Sequence, residues 1–310
     1  MIRRLTLLGL ALMPLSAAAQ TPDYGLKPLK VAADTYVLPG KLETFSTANG
    51  GNIANTAFIV TRAGVVVIDT GPSKLYGEAM RRAIAQITPL PVVKVVNTHL
   101  HPDHVFGNQA FTEARIEALP DSTRELSEQG KGFTEGLYRL VGGWMAGTEL
   151  RLPDKAPRSE DVGGHRLEMV ALTGHTHADL VVLDRTTGTL FASDLVFLDR
   201  APATPHADIA AWLAALDAIE RLPFTTLVPG HGPVHRGDRG IAQTRDWLTW
   251  LRATLKRAAE DGLDMSEAMA LPIPDRFRTM ALAREELVRS VVHLYPRLER
   301  DTMRRAEVKP

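Results

Sequence analysis

Apolar and polar positions along this chain switch between a period of two residues and a period near 3.6, and the switching outlines an alternation of strands and helices. Val65-Val66-Val67-Ile68 and Val92-Val93-Lys94-Val95-Val96 are short β-branched runs bounded by turn residues. Such near-continuous apolar runs read as strands covered on both faces. Thr35-Tyr36-Val37-Leu38, Ala57-Phe58-Ile59-Val60, Leu167-Glu168-Met169-Val170, Leu180-Val181-Val182-Leu183, Thr189-Leu190-Phe191 and Thr226-Leu227-Val228 give further strand signals. Residues 41–52, rich in Gly, Asn, Ser and Thr, read as a long loop. Ser73 opens a helical pattern with Leu75, Met80, Ile84 and Ile87 on one face, ending before Pro89. Asp208 suits the N-cap of a helix carrying Trp212, Leu213, Leu216 and Ile219, which Pro223 follows. Beyond Gly240, residues 241–259 and 281–294 read as amphipathic helices joined by Pro272-Ile273-Pro274. Trp247, Trp250 and Leu251 form an apolar stripe that suits a core.

The densest chemistry follows the second of those apolar runs. Asn97-Thr98-His99-Leu100-His101-Pro102-Asp103-His104 places three imidazoles and a carboxylate between positions 99 and 104, where a strand gives way to a helix. In open α/β folds that edge is where ligands bind. Alternate side chains of an extended segment share a face, so His99 and His101 can grip one ion together, and after the turn Asp103 and His104 can face a second. Neutral imidazole with carboxylate favours zinc or a similar first-row metal. Three more segments show a polar donor in a turn after an apolar run: Gly174-His175-Thr176-His177, Ala192-Ser193-Asp194 and Pro229-Gly230-His231-Gly232. Glycine allows the sharp turns that aim such side chains inward. His165, His235 and His293 lie outside any such turn and read as ordinary residues.

The ordered set His99-x-His101-x-Asp103-His104, His175, Asp194, His231 resembles the metallo-β-lactamase superfamily, and Val65-Val66-Val67-Ile68-Asp69-Thr70-Gly71 resembles its early strand and glycine turn. Together with the strand–helix alternation, the resemblance implies an α/β fold, a four-layer αββα sandwich with extra C-terminal helices. It implies one metal site from His99, His101 and His175, another from Asp103, His104 and His231, and Asp194 bridging. Two Zn2+ ions are the expected cofactors, with iron or manganese as alternatives. A hydroxide between them would attack an ester, thioester, lactone or amide-type bond, oriented by Asp103 as the catalytic residue. Asp69, His177 and His206 are expected in supporting or substrate-contacting positions, since metal ligands need hydrogen-bonding partners of their own. The rival expectations are a mono-iron oxidoreductase of the persulfide dioxygenase type and a β-lactamase. Asn49-Gly50-Gly51-Asn52, the stretch Arg200 to Asp208 and Gln243-Thr244-Arg245-Asp246-Trp247 further resemble secreted zinc metallohydrolases associated with quinoprotein relay and sulfur oxidation.

The chain of 310 residues, 45% hydrophobic and 23% charged, can bury one large core. Its 36 basic and 36 acidic residues balance, so nucleic acid is not an expected partner and a small-molecule substrate is. Met1-Ile2-Arg3-Arg4, an apolar run to Leu15 and Ala17-Ala18-Ala19 before Gln20 read as a signal peptide over 1–19. That run is too short for a stable membrane anchor. The expectation is a periplasmic or secreted protein, with 20–310 forming a single domain whose helical extension covers about 241–310. With no cysteine, neither disulfides nor thiolate ligands enter the chemistry. Residues 121–150 interrupt the alternation with glycines and with Phe133, Tyr138 and Trp144, as a helical insert that packs on the core or covers the cleft.

Overall fold

The computed structural model describes residues 23–308; the expected signal peptide lies outside them. Two six-stranded sheets form. The first runs in chain order through β1 (Leu29–Ala32), β2 (Thr35–Leu38), β3 (Thr56–Thr61), β4 (Gly64–Ile68), β5 (Val92–Val96) and β6 (Arg115–Glu117). The second holds β7 (Glu160–Val162), β8 (His165–Leu172), β9 (Asp179–Asp184), β10 (Thr189–Phe197), β11 (Thr226–His231) and β12 (His235–Arg236). Each sheet is a meander of antiparallel strands that turns parallel where helices intervene: β4 with β5 and β5 with β6 in the first, β10 with β11 in the second.

Strand alternation explains the layers. Val66 and Ile68 of β4 point between the sheets and meet Leu180, Val182 and Phe191. Val65 and Val67 point the other way, onto Tyr76, Met80, Ala83 and Ile84 of α1 (Lys74–Ala85). Because a helix covers one face and the other sheet the opposite face, both parities are apolar. On the far side, Val181, Leu183 and Leu190 meet Trp212, Leu216 and Ile219, which belong to the fourth helix in chain order. The result is the αββα sandwich.

Two helices lie between those two, α2 (Pro102–Val105) and α3 (Pro120–Val141); the fourth, α4 (Ile209–Glu220), carries Trp212. Ser73 caps α1 by accepting from the Tyr76 N–H, and Asp208 caps α4 by accepting from Ala211. The α1 face is rotated from the expected one: Tyr76, Ala79, Met80, Ala83 and Ile84 are buried, whereas Leu75 is half-buried and Ile87, past the helix end, is 41% exposed. Tyr76 outcompetes Leu75 because its ring fills the space under β4 and its hydroxyl bonds Thr56. At the C-terminal end, α5 (Arg239–Glu260), the short α6 (Met265–Met269) and α7 (Ala283–Val308) pack together through Leu251, Leu255, Leu287, Val291 and Tyr295. Helix α6 has no apolar periodicity long enough to announce it; an Asp264–Glu267 capping box holds it. Helix α7 outruns its expected end at 294 and continues through Pro296. Trp247 and Leu251 are fully buried, as a core stripe should be.

Candidate metal centre

Strand β4 ends in Ile68, and Asp69 turns the chain with φ of 58°. Its carboxylate accepts from the Thr98 N–H at 2.8 Å and the Thr98 hydroxyl at 2.7 Å, tying the end of β4 to the residues after β5. Those residues carry His99 and His101, and Pro102 then starts α2, which holds Asp103 and His104. Proline at this first helical position loses no hydrogen bond that the helix would have made.

From the second sheet, His175 sits in the loop between β8 and β9, and Asp179 shapes that loop by accepting from the Thr176 N–H and hydroxyl. Asp194 and His231 depart from expectation. Neither lies in a turn: Asp194 is within β10, and His231 is the last residue of β11. A register irregularity at Ser193, whose φ is 47°, swings the Asp194 side chain to the sheet edge. The neighbouring strand gives way to it. A Cβ on Gly230 would lie 1.9 Å from Asp194 Oδ1, so only glycine fits there.

These residues converge in two groups: His99, His101, His175 and Asp194 in one, Asp103, His104 and His231 in the other. His101 Nδ1 lies 3.0 Å from His99 Nε2 and 2.8 Å from His175 Nε2. Asp194 faces both groups, with Oδ2 3.3 Å from His175 Nε2 and 3.2 Å from His231 Nε2, and Oδ1 3.2 Å from His104 Nε2. Asp103 Oδ2 is 3.5 Å from His231 Nε2 and 3.8 Å from His104 Nε2.

The opposite ring nitrogens show what these inner ones are for. His231 Nδ1 donates to the Ile53 carbonyl at 2.8 Å and His175 Nδ1 to the Ala203 carbonyl at 3.1 Å. A carbonyl only accepts, so in the neutral rings the proton sits outside and the inner nitrogen is a bare lone pair. His104 Nδ1 bonds Asp69 at 2.8 Å, and His101 turns its Nε2 to His206 Nδ1 at 2.8 Å. Lone pairs crowded at hydrogen-bond distance repel unless a cation sits among them. Among the described residues, His104 Nε2 and Asp194 Oδ1, both buried, lack a well-formed hydrogen bond. The donor set therefore fits divalent metal, with nitrogen and oxygen donors of the kind zinc takes.

Charge divides the groups. Burial pushes His99 and His101 well below the usual histidine value, and His175 down to about 4. Burial acts on His104 too, yet the carboxylates of Asp194, Asp69 and Asp103 outweigh it and hold that ring well above the usual value. Burial pushes the Asp179 carboxyl up to about 7 against its hydrogen bonds to Thr176.

Of the three residues expected in support, Asp69 bonds His104 and His206 bonds His101, while His177 does neither. The His177 side chain is 74% exposed beside Glu125, because the Gly174 turn that points His175 inward leaves the residue two positions on facing solvent. Other contributors have no histidine signal. Asn55 Nδ2 donates to the carbonyls of Pro229 and Gly232, both at 2.8 Å, strapping the first sheet to the segment that carries His231. Phe45, Ile53, Phe133, Ala203 and Pro205 line the cleft above the centre, along with His206, Arg200 and Arg289. Phe133 comes from α3, so the insert takes part in covering the cleft, while Tyr138 is 59% exposed.

A sandwich of this topology with donors gathered at one sheet edge defines a class, and residues 49–231 match the family model of the metallo-beta-lactamase superfamily. The chain belongs to that superfamily. Among curated relatives it is 24% identical to a beta-lactamase-like protein 2 homolog of Caenorhabditis elegans, over 58% of this chain and 56% of that one. It is 21% identical to a linear primary-alkylsulfatase of Pseudomonas sp., over 67% of this chain and 48% of that protein. The chain thus spans about half the length of these two relatives. Among solved structures, a sec-alkylsulfatase of Pseudomonas sp. matches at TM-score 0.67 and 20% identity, over 92% of this chain and 52% of that one. A metallo-beta-lactamase from Pontibacter korlensis matches at 0.58 and 21%, over 72% of this chain and 99% of the other.

Proposed function

We propose that this chain is an exported hydrolase that holds two zinc ions and cleaves an ester, thioester, lactone or amide-type bond of a small molecule. The observation that carries the reading is the pair of donor groups with the Asp194 carboxylate facing both. His99, His101 and His175 would hold one ion, Asp103, His104 and His231 the other, and Asp194 would serve both. Such ions supply Lewis acidity to the bond under attack and lower the pKa of water towards neutrality. The remaining work falls to the chain. The Ile53 and Ala203 carbonyls keep His231 and His175 in the tautomer that offers a lone pair, and Asp69 fixes the His104 ring. Asp103 makes no shorter contact within the centre than 3.5 Å, so its carboxylate can accept a hydrogen bond from the attacking water and aim it. Phe45 and Phe133 exclude solvent from one side of the cleft.

Metal analysis of protein purified from the periplasm, with a screen over thioesters, lactones, β-lactams, phosphodiesters and sulfate esters, tests the reading. Two equivalents of zinc and turnover of a carbonyl substrate are expected. One equivalent of iron with oxygen consumption would replace hydrolase by oxidoreductase. Sulfate esters belong in the screen because a relative carries the alkylsulfatase name. Export is tested on the same material, where mass spectrometry should find a chain beginning at Gln20; uncleaved protein confined to the cytosol would exclude it.

A further inference from the structure

Helix α7 lies outside the region that matches the family, yet it reaches the cleft. Its start is pinned to the strand-side chain by paired backbone bonds, Ala201 N–H to the Ala281 carbonyl and Ala281 N–H to that of Asp199, both 2.9 Å. One turn beyond Glu286, buried Ser290 and Thr204 share a hydrogen bond of 2.7 Å. Between these ties sits an unbalanced set of charges.

Arg200 is 2% exposed, and its Nη2 approaches Glu286 Oε1 at 3.4 Å. Arg289 Nη1 approaches the same oxygen at 3.3 Å. Two guanidinium groups therefore share one carboxylate oxygen. Among the described residues, Arg200 Nε and Nη1 and Glu286 Oε2 have no hydrogen-bond partner. A guanidinium carries five donors in a planar fork that matches an oxyanion's paired oxygens. Leaving buried donors unpaired is costly, and a brace for α7 alone would close both oxygens of Glu286 onto one arginine. Instead the trio keeps one positive charge in excess, at a cleft that Asp103 and Asp194 also line. Arg289 is the more exposed partner, its side chain 36% exposed, and it lines the same cleft as His206 and Phe133.

We propose that Arg289, backed by the fixed charge of Arg200, binds an anionic group carried by the substrate, whose apolar body lies against Phe133 and Phe45. The subsite deepens the hydrolase reading and rests on it for the word substrate. It assigns a specificity role to the C-terminal extension: compounds with a carboxylate or sulfonate-type oxyanion are selected over neutral ones of the same size.

Calorimetric titration of the full-length, metal-loaded protein with hexanoate, hexane-1-sulfonate and hexanamide tests this, alongside Arg289→Gln and Arg289→Lys. Both anions should bind the parent protein and lose ~10- to 100-fold in affinity in Arg289→Gln. Arg289→Lys should recover part of the loss, and hexanamide should not distinguish the three proteins. A loss confined to one anion assigns the subsite to that oxyanion. Equal anion binding by parent and Arg289→Gln overturns the proposal, as does an equal loss for hexanamide. If Arg289→Gln instead sheds metal or melts lower, and Arg289→Lys does not restore anion binding, Arg289 is a brace and the proposal fails. Turnover of ester, thioester, lactone and amide substrates by the same proteins separates the two readings: anion binding through Arg289 without hydrolysis of any of these sinks the hydrolase and leaves the subsite standing.

Discussion

The two donor groups draw on the chain in the same way and differ in charge. Each takes two side chains from the turn after β5 and one imidazole from the second sheet, and Asp194 faces both. In the first group, His99, His101 and His175 are three rings that burial keeps neutral. In the second, His104 lies among Asp69, Asp103 and Asp194, and their carboxylates hold its proton. One position is thus poised to accept a cation through bare lone pairs, while the other must first exchange a proton for it. The difference teaches that ligand identity alone does not set the chemistry of a position; the charges behind the ligands do.

The heaviest blow to both groups at once is Asp194→Ala. It should abolish activity and leave the protein unable to retain its full metal complement after dialysis, as metal analysis would report. Retention of the full complement would mean that the groups are independent and Asp194 only flanks them. Next in size is a change confined to the first group. His175→Ala should lose activity and metal at that group, whereas His177→Ala, on an exposed side chain, should shift stability by less than ~0.5 kcal/mol and leave activity intact. Equal damage from the two substitutions would show that the loop register is misread.

The charge difference itself is open to titration of chelator-treated protein. His175 has a folded value of about 4 against an unfolded value near 6.5, so between these the unfolded chain binds more protons. Metal-free stability should fall by roughly 3 kcal/mol as pH drops through that window. His104 acts in the opposite sense: its raised value stabilises below about 6.5, and that contribution is lost as pH rises through its folded value. Urea unfolding across pH should therefore show a maximum near pH 6.5, and a flat profile would deny the contrast. A change confined to the surroundings of the second group is Asp69→Asn, which removes one charge behind His104 and makes no direct contact with a residue of the first group. A loss of ~10- to 100-fold in metal affinity or activity is typical of such supporting residues. If metal at the first group weakens more than at the second, the assignment of Asp69 is wrong.

The turn at His99–His104 was legible in the sequence because its donors lie within one run, so spacing alone reports their proximity. The distant donors were legible through their order, yet their local setting was not. Asp194 and His231 sit within strands because the register irregularity at Ser193 and the parallel pairing of β10 with β11 bring them to the edge, and pairing registers leave no mark on a single strand. The α1 face was misjudged for a similar reason: whether Leu75 or Tyr76 packs inward depends on the space beneath β4. The sequence separates His175 as ligand from His177 as support, but that His177 faces solvent rather than the centre depends on how the Gly174 turn is built. Arg200 entered the sequence reading only as the first residue of the stretch to Asp208, and Glu286 and Arg289 gave no signal. Their meaning lies in a shared carboxylate oxygen that brings together residues 86 positions apart.

The close approach of Gly230 to the Asp194 carboxylate has a genetic consequence. Every glycine codon is a single base change from an alanine codon, so one replication error at this position places a methyl group where the carboxylate must lie. The resulting gene would still encode every candidate metal ligand in order. A survey of genomes that scores such proteins by their ligands would count it as intact, although its product had lost the room in which those ligands meet.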